Sequence, residues 1–169
     1  MKWDSPESWV RFHSLPEGKR YADTHAKSQI ILDRHLTVLQ ELVDSDEVSE
    51  LLLIAQEWGP HDLAGGWTRH TTVEWWPWRT HTDPEQEEDE FAPSMTYFWA
   101  GGVATPTELV PLLRRAADNG AHFIVAPSSL DWIYAPYDGG ADVLLSDVSR
   151  RDALATAHSD WLSPRADGF

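Results

Sequence analysis

Six side chains able to ligate a metal or move a proton lie close together in the chain: His61, Asp62, His70, Glu74, His81 and Asp83. Imidazole and carboxylate are the groups that zinc sites and acid–base centres use. Their spacing is loose, with no His-x-x-x-His to place two ligands on one helix face, and residues of this kind commonly occupy a solvated loop. A second group is basic: Arg11, His13, Lys19 and Arg20, beside Tyr21, form a knot of cations in an acidic chain. A histidine flanked by Lys and Arg can bind an anion or assist phosphodiester cleavage. The alternative is that these cations pair with acids of the same domain, foremost those of a hairpin near residue 140. Other chemistries lack their residues. The absence of cysteine removes thiolate ligands, thiol nucleophiles and disulfides together. Asp138-Gly139-Gly140-Ala141-Asp142 has neither the alternating oxygens nor the distal Glu of a calcium loop and reads as a turn. Gly18-Lys19-Arg20 has no glycine-rich approach from a strand, and no Gly-x-Ser-x-Gly elbow occurs. No catalytic residue, metal or cofactor is therefore assigned, and the balance favours a protein that binds rather than catalyses.

Charge and tryptophan say more. The 169 residues carry a formal charge of −15, of which the segment Glu41 to Glu90 supplies −12, with 14 acids against Arg69 and Arg79. Affinity for duplex nucleic acid comes from Lys and Arg neutralising phosphates, so this balance disfavours it, and it disfavours anionic membranes for the same reason. A basic protein surface would instead be drawn in. Ten tryptophans are present, and Trp67, Trp75, Trp76 and Trp78 fall within twelve residues. Indole joins a large apolar face to one N–H donor, a combination suited to half-buried positions and binding hot spots. The run Val73 to Trp78 cannot bury all its rings on one face of a strand, so some must meet a partner, whereas Trp99, Trp132 and Trp161 fit a core.

Regular elements must position these groups. Trp9 to His13 alternates as a short strand, ended by Pro16-Glu17-Gly18. From about Asp23 to Val43 the spacing becomes helical, with Leu32, Leu36, Leu39 and Val43 on one face, widened by Ile31, Val38 and Leu42. Leu51 to Ala55 is a continuous apolar run typical of a central strand. Ser94 to Ala104 predicts another strand, with Met95, Tyr97 and Trp99 on one side. Thr105-Pro106-Thr107-Glu108 is a capping box that opens a helix ending at Asn119-Gly120, and Pro111 within it implies a kink or a late start. Strands follow at His122 to Ala126, Asp131 to Tyr137 and Ala141 to Ser146, the last two joined by a hairpin at Asp138-Gly139-Gly140. Asp147 or Ser149 caps a final helix that Pro164 terminates. The expectation is a single α+β domain spanning 1–169: a mostly antiparallel sheet of five or six strands packed with three helices. Residues 59–93 stand apart as a Trp-rich, acidic insertion without regular structure, the kind of long loop that is usually functional or mobile. No apolar run approaches the roughly 20 residues of a membrane span, and the N-terminus has no secretory apolar stretch, so a cytoplasmic protein is expected.

Two stretches carry a resemblance. Arg11-Phe12-His13-Ser14-Leu15-Pro16-Glu17-Gly18-Lys19-Arg20-Tyr21, with Arg34-His35 in the following helix, resembles the opening of small acidic bacterial proteins. Asp131 to Asp142, which contains Tyr134-Ala135-Pro136-Tyr137-Asp138-Gly139-Gly140-Ala141-Asp142, with Trp161-Leu162-Ser163 closing, looks like the end of the same proteins. Many of these resemble immunity proteins, which neutralise toxins passed between competing bacteria. The resemblance implies a non-enzymatic inhibitor and brings no catalytic residues with it. Its recognition surface would be the region from Trp58 to Glu90, with Trp67, Trp75, Trp76, Trp78 and Glu74 in contact and the acids Asp83, Glu85, Glu87, Glu88, Asp89 and Glu90 steering a basic partner such as a toxin. The competing reading is an enzyme or small-ligand domain that uses Arg11/His13/Lys19 or His61/His70/His81.

Overall fold

A computed structural model of the chain describes residues 6–46, 48–59, 67–81 and 95–163. Among these described residues seven strands form one sheet: β1 (Trp9–His13), β2 (Leu51–Gly59), β3 (Trp75–His81), β4 (Met95–Val103), β5 (His122–Pro127), β6 (Trp132–Tyr137) and β7 (Gly140–Leu145). Three helices accompany them, α1 (His25–Asp46), α2 (Val110–Ala117) and α3 (Val148–Ala157). The strand order is β1-β7-β6-β5-β2-β4-β3, and every neighbouring pair is antiparallel. The α+β class expected from the sequence is therefore present. The sheet has seven strands rather than five or six, because β3 arises inside the segment taken as an irregular insertion. Two causes hid it. Pro77 reads as a strand breaker, and an irregularity between Pro77 and Arg79 interrupts the two-residue alternation that marks a strand.

The helices cover one face of the sheet. Along β2, Leu51, Leu53 and Ala55 are fully buried, while Leu52, Ile54 and Gln56, one step out of phase, are only half-buried. A period of two thus separates a core face from an open face. Val125, Trp132, Tyr134, Val143 and Leu145 extend the core face across β5 to β7. From α1 it meets Leu32, Val38, Leu39, Leu42 and Val43, with Leu36 half-buried beside them, most of the stripe the helical spacing predicts, and from α2 it meets Leu112, Leu113 and Ala116. Among the described residues no helix is long and apolar enough to cross a membrane.

Boundary chemistry follows the residues closely. At Thr105 the Glu108 carboxylate accepts the backbone N–H of Thr105 at 2.9 Å and of Ala104 at 3.1 Å. A 3-10 turn, Pro106–Leu109, precedes α2, so Pro111 falls in the first α-turn and no interior hydrogen bond is lost; the late start is realised. Asn119 takes a φ of 54° where the helix stops. Asp147, not Ser149, caps α3, accepting from the Ser149 and Arg150 amides. Asp138-Gly139 turns β6 into β7, so that Tyr137 faces Gly140. There β1 crosses so close that a Cβ on Gly140 would stand 1.9 Å from the Phe12 carbonyl oxygen, and the φ of 156° is one that glycine alone adopts freely.

Candidate functional site

Two regions gather the residues singled out by their chemistry. The first is β3, the last strand of the sheet among the described residues. Trp75 turns toward the helix-side core, its indole N–H donating to Thr71 Oγ1 at 2.7 Å. Gly101 opposite it leaves room: a Cβ there would meet Trp75 at 3.0 Å and Val73 at 2.9 Å. The next residue faces the other way. Trp76, paired with Ala100, is 49% exposed; Trp78, at the bulge, is 59% exposed, edge-on to Phe98 with ring centroids 6.4 Å apart. Trp58, the first residue of the expected recognition region, joins them on the open face. It is 51% exposed and edge-on to His122 at 4.7 Å. Beside these rings runs a groove of about 340 Å³ lined by Ile54, Gln56, Phe98, His122, Ile124 and Pro136. Trp58 faces this way because it lies in phase with Leu52 and Ile54, near the end of β2.

The charges expected around these rings are only partly in view. Glu74 is exposed at the start of β3, but Arg79 and His81 are the ionisable groups in the exposed run that follows. Glu57 is buried on the helix side, its carboxylate accepting the Thr68 amide at 2.8 Å, and so cannot steer a partner. Asp83, Glu85, Glu87, Glu88, Asp89 and Glu90 lie outside the described residues, as do His61 and Asp62. Trp67 and His70 bound a 3-10 turn, Trp67–His70, whose backbone passes beside β2. Among the described residues no group of three or more His, Asp or Glu is arranged to hold a metal ion.

The second region is a corner where the two familiar stretches meet, although more than a hundred residues separate them. Arg11 grips Asp142 with both arms, Nε to Oδ1 and Nη2 to Oδ2, each at 2.7 Å, and its guanidinium lies between the Trp9 and Tyr137 rings. Such a two-point bond holds charge and orientation together, and it pushes the Arg11 pKa up. Tyr21 donates its hydroxyl to Asp138 at 2.6 Å, and Arg20 stands 3.7 Å from the same carboxylate. Lys19 binds Asp23 at 2.6 Å, which with Lys27 holds that carboxyl well below its ordinary range. The cations Arg11, Lys19 and Arg20 thus each face an acid, and they do not converge on one pocket with His13. Burial, with Arg11 and Arg34 nearby, holds the His13 pKa down.

Beneath this surface lies a polar pair that the sequence reading passed over. His35, on the inner face of α1, is 3% exposed, and its Nδ1 is 2.6 Å from the Tyr134 hydroxyl of β6. Burial lowers the His35 pKa to about 4 and raises that of Tyr134 well above the ordinary phenol value. The imidazole is therefore neutral and the hydroxyl protonated near pH 7. The neutral imidazole and the protonated hydroxyl share one hydrogen bond at Nδ1. Among the described residues His35 Nε2 and the buried Ser14 Oγ have no hydrogen-bond partner, and both residues line one small cavity. Arg34 donates Nη1 to the His13 carbonyl at 2.8 Å and lies over the Trp161 ring, which stacks on His158. The available signal was periodicity: His35 falls within the Leu32–Leu39 face, where a polar residue must find a buried partner.

One family model matches residues 1–166, that of a domain of unknown function (DUF3885). No curated protein and no solved structure matches the chain.

Proposed function

Because the chain belongs to the DUF3885 family, whose description carries no activity, we propose from its geometry that it is a non-enzymatic binding protein, gripping a basic protein partner with the open sheet face near β3. The observation that carries this reading is the set of three half-exposed indoles on the open face, Trp58, Trp76 and Trp78, of which Trp78 and Trp58 pack on Phe98 and His122 in the wall of a groove. Exposed aromatic clusters of this kind are costly to leave in water and are characteristic of interface anchors. The edge itself suits recognition by side chains rather than by strand addition. Pro77 offers no N–H, and the bulge at Trp78 breaks the line of the outer backbone. The charge of −15, concentrated between residues 41 and 90, supplies the long-range attraction for a cationic surface. In its most specific form the partner is a toxin whose basic active site the protein occludes, as the immunity-type resemblance implies.

The corresponding experiment pairs the chain with the product of a neighbouring toxin-like gene and measures binding kinetics. Trp76→Ala together with Trp78→Ala should raise the dissociation rate at least tenfold with thermal stability nearly unchanged. Equal dissociation rates in the two proteins, with both folded, would overturn the reading.

A further inference from the structure

Between the first turns of α1 and the last turn of α2 lies a cleft of about 310 Å³, on the helical side of the fold. Its floor is apolar. Ile31, Leu32 and Leu113 are buried there, with Ala22 and Ala117 half-buried beside them. Ile31 is buried outside the core that α1 shares with the sheet, and this cleft is the space it lines. Sites for small molecules are concave, apolar over much of their wall and furnished with a few polar groups that fix orientation, with volumes from about 300 Å³ upward. The cleft stands at the lower end of that range, which restricts its occupant to a small molecule.

The rim decides which kind. It carries His25, Ser28 and Gln29 from α1, and Arg114 and Asp118 from the end of α2. Two of these are already engaged: Ser28 Oγ donates to the Thr24 carbonyl at 3.3 Å, and Gln29 Nε2 donates to Asp33 at 2.8 Å. Arg114 and Asp118 are exposed, and among the described residues neither side chain has an ion pair. Yet they stand four residues apart, the spacing at which opposite charges on a helix meet. One full charge of each sign is thus left open on the same rim. An anion alone would meet Asp118, a cation alone would meet Arg114, and a purely apolar molecule would use neither. A molecule that carries both charges close together and an apolar body uses the whole lining.

We propose that this cleft binds a small zwitterion with an apolar side chain, the chemistry of a free hydrophobic α-amino acid. Its carboxylate meets the Arg114 guanidinium, whose fork matches two oxygens at once, and its ammonium meets the Asp118 carboxylate. Its side chain lies on Ile31, Leu32 and Leu113. The cleft belongs to the helix-covered side of the sheet, whereas Trp58, Trp76 and Trp78 stand on the open face, so the site does not depend on the partner-binding reading.

The test titrates the folded chain at pH 7 and constant ionic strength with three molecules: leucine, isocaproate, which lacks the ammonium, and isoamylamine, which lacks the carboxylate. Backbone amide signals are followed by NMR. Leucine should give saturable shifts in residues 22–32 and 113–118, and each analogue should bind at least threefold more weakly, the modest factor expected of charges on an exposed rim. Arg114→Gln should remove the advantage of leucine over isoamylamine, and Asp118→Asn its advantage over isocaproate. Both side chains are exposed, so the thermal transition should stay where it is. No saturable shift in these two segments with leucine would overturn the proposal. Equal binding of the three molecules would overturn it as well, as would leucine binding that either substitution leaves unchanged.

Discussion

Acidification isolates one residue of the interior. His35 is almost wholly buried and its pKa lies at about 4, set by loss of hydration, against an ordinary 6.5. In the unfolded chain the imidazole takes up its proton near pH 6.5; in the folded protein it does so only near pH 4. Between those values the unfolded state binds more protons, so stability falls as the pH drops through that window. A displacement of about 2.5 pH units corresponds to about 3 kcal/mol in full, of which about 2 kcal/mol is lost between pH 7 and pH 4.5. For a domain of this size that loss lowers the urea midpoint by about 1 M. Asp23 titrates on the acid side of this window, since its lowered pKa removes stability only at still lower pH. His13 has the same sign as His35 and is shared by any variant at position 35. The comparison is therefore between the parent chain and His35→Gln, whose amide can still accept from Tyr134 but does not titrate. Urea unfolding of both at pH 7, 5.5 and 4.5 should show the variant less stable at pH 7 and with a shallower loss toward pH 4.5, the difference reaching about 2 kcal/mol. Parallel pH dependences would refute the assignment of a neutral, buried imidazole.

Gly140→Ala should cost about 3 kcal/mol or more, because its Cβ would strike the Phe12 carbonyl and its φ would become unfavourable; a change below 1 kcal/mol in denaturant unfolding would contradict the crossing of β1 over the hairpin. Asp142→Asn keeps the shape and removes the charge that Arg11 holds, and should destabilise by about 1–2 kcal/mol; a double-mutant cycle with Arg11→Met should recover a coupling of about 1 kcal/mol, and zero coupling would remove this bond as the tie between β1 and β7. Deleting Asp83 to Glu90 should slow association with a basic partner about tenfold at low salt and flatten the salt dependence, while dissociation stays the same. An unchanged association rate would place the steering charge elsewhere.

Elements written in adjacent residues were legible from the chain alone. The apolar face of α1, the Glu108 return at Thr105, the Asn119 stop and the Asp138-Gly139 turn all depend on contacts within a few positions, where residue type and backbone preference nearly settle the outcome. The strand β3 was not legible, because a proline and a bulge erase the alternation that would announce it, and its place at the edge is decided by β4. Nor could composition say which indoles face water. Trp75 and Trp76 are neighbours of the same type, and only the register against Gly101 and Ala100 sends one inward and the other out. The same holds at the polar corner. Arg11 and Asp142, or His35 and Tyr134, become partners because the first strand returns to pair with the last and α1 packs beneath them, a closure over about a hundred residues that no local preference encodes.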